Sequence, residues 1–508
     1  MPLRRRVALT LAVTAAVTAV TLTAVTWSAS ATPADDIDWQ PCPQAPDVDC
    51  GSVTVPLDWD DPDGPTIDIA LARRPATDPD ARIGAVVMDP GGPGGSGVDL
   101  VTAESVLTPA TEARFDTIGF DPRGVGASHP VTCDAALVAE AQQTMYPRSA
   151  AEFAATRETT EQVARDCRER TGELYDHVDT ESVARDIDVI RASLDEPKLT
   201  YVGYSYGTLM GQEYAQLFPE RIRAMVLDGN MDHSMTSTWR SMSTQLAAVE
   251  EIFVDFADWC DAEPDCALYG MDTRTVYGGL RDAARAGELV DPTTGRTMDL
   301  TQFSGLVPHW AKQTQWPTLA DTLAVLAGEA EPAADTARLL TEATPEINVP
   351  DQAIWCQDWD FPVRNWRQWS SLTEQLADEY PNTQWTVNLG LSLMCLGYPG
   401  PTTNPQARLD IEGAPPLVML GNRHDPSTVY PWTLAAAEQS GATLITYEGY
   451  GHTIYAYGRP SACVNDTVDD YLIDLTVPPD GLTCPDALTP GSVGAETVGP
   501  EPGTGTRY

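Results

Sequence analysis

A serine between glycines, in Gly203-Tyr-Ser-Tyr-Gly207, is the first residue whose setting could do chemistry. It follows the apolar run Leu199–Gly203 and precedes a helical stretch, Thr208–Phe218. A serine on a sharp turn from buried strand to helix has a strained backbone and an exposed hydroxyl, and the helix N-terminus adds N–H groups beside it. This context predicts that Ser205 is a nucleophile, although the five letters alone fit an incidental glycine-rich turn equally well.

A histidine and an acid follow in the order that such a serine requires. His452 lies in the loop after the apolar run Leu444–Tyr447, and Asp425 lies in the loop after the run before it. His452 would take the proton of the serine hydroxyl, while Asp425 would orient the imidazole and stabilise its charged form. Asp228, at the end of the strand after the nucleophile, stays open as an alternative acid, and His424 is expected to be structural.

A second glycine loop, Asp89-Pro-Gly-Gly-Pro-Gly-Gly-Ser-Gly97, could complete an oxyanion hole. A tetrahedral intermediate needs two N–H donors, and removing one costs roughly 3–4 kcal/mol. One donor is expected at Tyr206 and the other at Gly91 or Gly92, because only glycine lets the backbone approach so closely. A phosphate-binding dinucleotide loop is the alternative, but each proline removes a donor and no helical G-x-x-G follows.

An arginine at position 123 stands in a third loop, Asp121-Pro-Arg-Gly-Val-Gly-Ala-Ser128. Its guanidinium could bind a substrate carboxylate or could clamp the loops around the oxyanion hole. Arg123 is expected to be a structural clamp.

Short apolar runs separated by helical patterns indicate the elements that position these loops. Val53, Val55 and the Ile67–Leu71 segment alternate with polar or small residues, as edge strands do. Residues Val183–Leu194 have one apolar helical face. The runs without alternation, typical of strands buried on both faces, are Ile83–Met88, Thr117–Phe120, Leu199–Gly203, Ala224–Leu227, Leu417–Leu420 and Leu444–Tyr447. The pattern predicts an α/β class with a mostly parallel central sheet flanked by helices.

The alternation stops over residues 234–407, a stretch rich in Trp, Gln and Thr with helix-like pieces. We interpret this stretch as a helical lid inserted between sheet strands, over the edge where such folds bind ligands. The sheet core would then comprise residues 32–233 and 408–486. Residues 487–508 are rich in Gly, Pro and Thr and are expected to be disordered.

The N-terminus has the parts of a secretory signal peptide over residues 1–31. Three arginines precede an uncharged apolar stretch from Val7 to Val25, and the small residues Ser28–Ala31 provide a cleavage site. An uncleaved membrane anchor is the alternative, since the apolar stretch is nearly long enough to span a bilayer. A secreted protein, free of the membrane after cleavage, is expected.

The ten cysteines agree with export, because an even count in an exported chain indicates disulfides. Sequence does not fix their connectivity, but pairing near neighbours gives Cys42–Cys50, Cys133–Cys167, Cys260–Cys266, Cys356–Cys395 and Cys463–Cys484. The cysteines have no Cys-x-x-Cys or clustered Cys/His spacing, so no metal site is predicted.

The formal net charge of −43 bears on partners rather than on the fold. Such a surface repels nucleic acid and anionic membranes, so neither is expected as a partner. The sequence does not set the oligomeric state.

Together these motifs resemble the exported tripeptidyl aminopeptidases and related proline-iminopeptidase-like hydrolases of actinobacteria, which have the α/β-hydrolase fold. The residues that carry the resemblance are the glycine loop at 90–97, Gly119–Gly126, Ser205–Thr208, Asp425-Pro, Gly451-His452 and Cys463–Asp466. The resemblance implies release of short peptides from free N-termini by a serine triad without a cofactor. Two departures are Pro90, where proline iminopeptidases have histidine, and one extra residue between Gly421 and Asp425.

An aminopeptidase also needs an anion for the substrate's ammonium. Asp358 is the candidate, with Glu250 and Glu251 behind it, although a solvated surface acid is the alternative for each. The predicted function is therefore a secreted serine exopeptidase, an aminopeptidase that releases short peptides, tripeptides in the first place, from free N-termini. A carboxylesterase or lipase on the same scaffold and a non-catalytic binding protein are the second and third hypotheses.

Overall fold

The computed structural model describes residues 37–103, 105–331, 346–456, 461–486 and 488. The predicted signal peptide lies outside these ranges, as does all but one residue of the predicted disordered tail. Across the described ranges, no helix combines the length and the apolar character that a bilayer-spanning segment needs.

Ten of the described strands form one sheet, in the order β1-β2-β3-β5-β4-β7-β8-β10-β11-β12. In chain order the strands are β1 (Gln40–Cys42), β2 (Ala45–Pro56), β3 (Thr66–Arg74), β4 (Gly84–Asp89), β5 (Phe115–Phe120), β6 (Thr132–Asp134), β7 (Leu199–Tyr204), β8 (Ile222–Asp228), β9 (Glu346–Asn348), β10 (Val418–His424), β11 (Thr443–Tyr450) and β12 (Leu482–Cys484). From β5 to β12 every neighbouring pair is parallel. The first three strands join the sheet by antiparallel pairing.

Helices follow most of the parallel strands. They are α1 (Gly97–Ala103), α2 (Pro109–Glu112), α3 (Ala135–Gln143), α4 (Ala150–Thr171), α5 (Thr180–Ser193), α6 (Gly207–Leu217), α7 (Thr238–Ala262), α8 (Thr273–Ala286), α9 (Leu300–Ser304), α10 (Leu306–His309), α11 (Trp316–Leu326), α12 (Asp351–Asp358), α13 (Trp366–Glu379), α14 (Leu391–Met394), α15 (Tyr430–Ser440) and α16 (Ala462–Asp474).

The central strands are buried on both faces, as their unbroken apolar runs predict. Val87 and Tyr201 pack into a core that contains residues of α5, α6 and α15. Val86 and Val202, next to them in sequence, pack into a second core with residues of α1 and α16. Successive side chains on a strand point to opposite faces, so helices cover both sides of the sheet. The predicted α/β fold is confirmed.

The edge strands keep one polar face. In the β2–β3 pair, Val53 lies opposite Ile69 and Val55 opposite Ile67, and all four are buried. The side chains between them face outward, where the Thr54 hydroxyl donates a hydrogen bond of 2.7 Å to an Asp68 that is likewise exposed.

Residues 234–407, the predicted lid, contain α7–α14 and the short strand β9. Part of this segment has a hydrophobic cluster of its own, in which Phe253 and Phe256 of α7 pack with Tyr277 and Trp316. The segment is also joined to the sheet core, because β9 pairs with β6 in an antiparallel ladder. A three-residue strand has too few residues to show a periodicity in sequence.

All ten cysteines lie within the described residues and form five disulfides. The pairs are Cys42–Cys50, Cys133–Cys167, Cys260–Cys266, Cys356–Cys395 and Cys463–Cys484. The predicted pairing of near neighbours is confirmed. Disulfides of this number fit an oxidising compartment.

Arg123 is a structural clamp, as expected. Its side chain is completely buried and forms an ion pair of 2.6 Å with Asp186 of α5. The remaining N–H groups donate to the carbonyls of Pro56, Leu57 and His177. One guanidinium therefore fixes the end of β2, the segment before α5, and α5 itself.

We expect Arg123→Met to destabilise the protein by roughly 3–5 kcal/mol, because it leaves the Asp186 carboxylate buried without its cation. The measurement is chemical or thermal unfolding under non-reducing conditions. The double variant Arg123→Met/Asp186→Leu should recover part of this loss, since it removes the unpaired charge as well. A single variant within 1 kcal/mol of the wild type would show that the pair is not a clamp.

Candidate active site

Ser205 lies on a tight turn between β7 and α6, in a left-handed backbone conformation with φ of 53°. Its N–H donates to the carbonyl of Asp228 at the end of β8, at 2.9 Å. The flanking glycines have no room for side chains: a Cβ on Gly203 would lie 2.5 Å from the carbonyl oxygen of Gly207, and one on Gly207 would lie 2.8 Å from Oδ1 of Asp89. The packing of the turn thus explains the two glycines and the strained serine between them.

His452 and Asp425 lie side by side at the ends of β11 and β10. The imidazole Nδ1 is 3.0 and 2.9 Å from the two carboxylate oxygens of Asp425. Both side chains are buried. A carboxylate in this position fixes the imidazole orientation and stabilises its protonated form, as a general base requires.

The imidazole also packs beside Gly229, at the end of β8. A Cβ built on Gly229 would lie 3.3 Å from Cε1 of His452. Gly229 follows directly after Asp228, whose carbonyl accepts the Ser205 N–H. The three predicted residues therefore lie along one edge of the sheet, at the carboxyl ends of β7, β10 and β11, where parallel sheets bind their ligands.

Asp425 is held by the turn that follows it. Its Oδ1 accepts hydrogen bonds from the N–H groups of Ser427 and Thr428, and Oδ2 accepts one from the Thr428 hydroxyl. Thr428 was not among the site residues predicted from sequence. An aspartate followed two and three residues later by Ser and Thr is the signal that could have found it, because such side chains close local turns.

Asp228, the alternative acid, has a different place. Its Oδ2 accepts hydrogen bonds of 2.7 Å from the N–H groups of Ile454 and Tyr455. It therefore anchors the backbone just after His452, whereas the carboxylate on Nδ1 is that of Asp425.

The glycine loop packs directly on the serine turn. A Cβ on Gly91 would lie 2.5 Å from the Tyr204 carbonyl oxygen, 2.8 Å from the Tyr206 nitrogen and 2.9 Å from Cβ of Ser205. The Gly91 N–H, one of the two predicted loop donors, is engaged within the loop, where it donates to Oδ1 of Asp89 at 2.8 Å. The N–H groups of Gly92 and Tyr206 donate to no other group in the described part of the chain.

Asp121 holds the other end of this loop, and sequence reasoning missed it. Its carboxylate accepts hydrogen bonds from the Ser96 hydroxyl and from the N–H groups of Val98 and Ala127. The residue begins the motif that contains Arg123, so the motif joins the glycine loop to the clamp.

A family model described as the α/β-hydrolase fold matches residues 84–458. The chain belongs to the α/β-hydrolase family.

Characterised relatives of this hydrolase span most of its length. The tripeptidyl aminopeptidase of Streptomyces coelicolor is 32% identical over 483 residues, which cover 89% of this chain and 87% of the relative. The serine protease Hip1 of Mycobacterium tuberculosis is 32% identical, with 88% and 91% covered. Carboxylesterase B of the same species is 34% identical, with 86% of each chain covered. The resemblance to tripeptidyl aminopeptidases is confirmed, and the protein is a serine hydrolase.

Asp358, the first predicted ammonium anchor, is fully buried in this hydrolase. Its carboxylate accepts hydrogen bonds from the Thr180 N–H and hydroxyl, from the Asn404 amide and, at 2.6 Å, from the Tyr206 hydroxyl. These partners surround both oxygens, so the carboxylate does not face a substrate in this conformation. It instead ties the lid to Tyr206, the residue after the nucleophile.

The two glutamates predicted behind Asp358 lie on α7 and make different contacts. The carboxylate of Glu250 caps a turn of the lid, accepting four hydrogen bonds from Asn382 and Thr383. Glu251 is exposed and lies 3.7 Å from Nδ1 of His424. That histidine stacks on Tyr450 at 4.1 Å, and burial lowers its pKa. The structure thus does not bring these glutamates together with Asp358.

No group of three or more His, Cys, Asp or Glu side chains in the described ranges is arranged to hold a metal ion.

Replacing Gly91 by alanine tests the contact between the two glycine turns. The new methyl group would overlap the backbone on both sides of Ser205, so kcat should fall by roughly 100-fold or more, as when an oxyanion donor is lost. Gly413→Ala is the matched control. Gly413 also has a positive φ, of 85°, but a Cβ there meets nothing within 4 Å. Equal activity in the two variants would contradict this role of Gly91.

A second test concerns Asp358, because burial raises the pKa of its carboxyl to about 6. Between a pH of about 4, where an unfolded aspartate ionises, and the folded pKa, only the folded state keeps this proton. The carboxyl's contribution to stability therefore falls as pH rises through that window, by an amount on the order of 2–3 kcal/mol, and stays low above it.

Asp358→Asn has no such titration. The unfolding free energy of the wild type minus that of this variant should therefore decrease between pH 4 and pH 6 and then level off. Thermal or urea unfolding across this range measures the difference, and the exposed Asp360→Asn is the control. Parallel stability curves for the wild type and Asp358→Asn would disprove the shift.

Proposed function

We propose that this hydrolase is a secreted serine aminopeptidase that releases short peptides, tripeptides in the first place, from free N-termini. The observation that carries the proposal is the buried Asp425–His452 pair at the same sheet edge as the strained Ser205 turn. Ser205 is the nucleophile, His452 the general base and Asp425 the residue that orients the base.

In the first half of the reaction, the Ser205 hydroxyl oxygen attacks the carbonyl carbon of the scissile amide. Nε2 of His452 takes the hydroxyl proton, and the carbonyl π electrons move to oxygen. Asp425 stabilises the resulting imidazolium through Nδ1. We assign the N–H groups of Tyr206 and Gly92 as the donors for the oxyanion, because that of Gly91 already donates to Asp89.

Collapse of the tetrahedral intermediate expels the amine, which takes the proton from His452. The N-terminal fragment is then an ester on Ser205, and the remaining peptide leaves with a new N-terminus. In the second half, His452 removes a proton from water as it attacks the ester. The imidazolium returns that proton to the Ser205 oxygen, so the enzyme is restored without a cofactor.

Relatives support the peptide substrate. The Streptomyces coelicolor relative is named a tripeptidyl aminopeptidase and a mycobacterial relative a serine protease, each 32% identical. The five disulfides and the predicted signal peptide support export.

A carboxylesterase is the second candidate, and a specific observation favours it. A relative named Carboxylesterase B is 34% identical over 454 residues. The same triad and oxyanion hole cleave esters, so the catalytic residues do not separate the two activities.

A substrate panel decides between the candidates. It contains a chromogenic tripeptide amide with a free N-terminus, the same amide with an acetylated N-terminus, and a short-chain nitrophenyl ester. We expect the free-N-terminus amide to be cleaved and the acetylated one to be resistant. Cleavage of the ester alone would make the protein a carboxylesterase. If none of the three substrates is cleaved, a hydrolytic role is refuted.

Ser205→Ala is the companion variant. It should lower kcat on every cleaved substrate by roughly 10⁴-fold or more, because no other hydroxyl replaces the nucleophile. The unfolding temperature should stay within a few degrees of the wild type, which separates loss of chemistry from loss of fold. Activity retained by a folded Ser205→Ala protein would disprove the nucleophile assignment.

A further inference from the structure

Helix α12 covers the nucleophile turn with one face. Asp351, Trp355 and Asp358 are spaced i, i+4 and i+7, which places them on the same side of the helix. Trp355 packs on the Tyr206 ring, with centroids 6.1 Å apart, and Asp358 accepts a hydrogen bond from the Tyr206 hydroxyl. Asp351, at the first residue of the helix, therefore begins a row of side chains that leads to the oxyanion donor.

Asp351 also lies against the glycine loop. A Cβ built on Gly94 would lie 2.9 Å from Oδ1 of Asp351. The loop turns sharply here, because the Gly95 N–H donates to the Gly91 carbonyl at 2.9 Å. Gly91 in turn packs against Cβ of Ser205. One closed turn of backbone thus separates this carboxylate from the nucleophile.

The carboxylate of Asp351 accepts a hydrogen bond only from the N–H of its own residue among the described groups, in contrast to the other polar side chains of α12. Gln352 donates to the carbonyls of Thr160 and Met394. Gln357 and Asp358 are bonded as well. Within the described residues, no other side chain or backbone group donates a hydrogen bond to Asp351, and no Lys, Arg or His forms an ion pair with it.

An unpaired acid in such a place is costly, since burying a charge without a counterion is unfavourable. The residue keeps part of its surface accessible, but the surrounding protein raises the pKa of its carboxyl to about 7. A cation supplied from outside would restore the charged form. A free N-terminal peptide brings one, its α-ammonium.

We propose that Asp351 is the subsite that binds the α-ammonium group of the substrate and so selects free N-termini. This inference rests on the proposed aminopeptidase function. The ammonium would lie roughly one to three residues from the scissile bond, since an extended residue spans about 3.3–3.6 Å and the carboxylate is one loop turn from Ser205. The three acids predicted from sequence are less suitable ligands for the ammonium group. Asp358 and Glu250 already accept hydrogen bonds from neighbouring groups, and Glu251 faces His424.

The test compares two substrates on one variant. The first is a tripeptide nitroanilide with a free N-terminus, and the second is its des-amino analogue, in which hydrogen replaces the ammonium. The measured quantity is the ratio of their kcat/KM values. In the wild type this ratio should be large, and Asp351→Asn should reduce it by ~10- to 100-fold, as loss of a charge-assisted hydrogen bond would. A misfolded variant would lose both activities together and leave the ratio unchanged.

Asp360→Asn is the matched control, because it removes one negative charge two residues after α12 from an exposed position. It should keep the wild-type ratio. If the wild type prefers the free amine and a folded Asp351→Asn protein retains that preference, the subsite is wrong while the aminopeptidase function stands. If the wild type shows no preference for the amine, both the function and the subsite are overturned.

Asp351→Glu supplies the last measurement: recovery of part of the ratio supports an ion pair, and no recovery in a folded protein argues against it.

Discussion

The contact between two glycine turns is the constraint on which the rest of the site depends. Gly91 lies so close to the Tyr204–Tyr206 backbone that no side chain fits between them. This contact brings the glycine loop against the serine turn, where Ser205 has a left-handed backbone. Such strain costs of order 1–3 kcal/mol and persists only where the surroundings impose it. Here the surroundings of the serine turn are the strands β4, β7 and β8, which are parallel neighbours in the sheet.

The lid covers the serine turn and also helps to fix the position of Tyr206 in it. Asp358 on α12 accepts a hydrogen bond from the Tyr206 hydroxyl, and Trp359 donates another to the same oxygen at 3.2 Å. A buried carboxylate is tolerated because each of its oxygens accepts hydrogen bonds from neighbouring groups. A movement of α12 would consequently change the position of Tyr206, the residue that follows Ser205.

Features that depend on local sequence could be predicted, whereas features that depend on distant partners could not. The unbroken run Leu199–Gly203 and the glycines after it predicted strand β7 and the serine turn, because each signal lies within a few residues. Asp358 was predicted to bind the substrate's ammonium, but its partners Thr180 and Tyr206 are 178 and 152 residues away in sequence. Composition gives no sign that an acid is enclosed in this way. The choice between Gly91 and Gly92 likewise needed the hydrogen bond to Asp89.

The difference between a peptidase and an esterase on this scaffold must lie outside the triad, because the reaction at Ser205 is the same for both. The rigidity of α12 makes it a suitable place for that difference. The Cys356–Cys395 disulfide and the hydrogen bonds of Gln352 and Gln357 fix the helix at three positions. An acid held on such a helix would lose little conformational entropy when it binds a cation. More of the binding free energy would then remain to distinguish substrates with an ammonium group from substrates without one. A mobile surface glutamate such as Glu251, exposed on α7, would have to be ordered first.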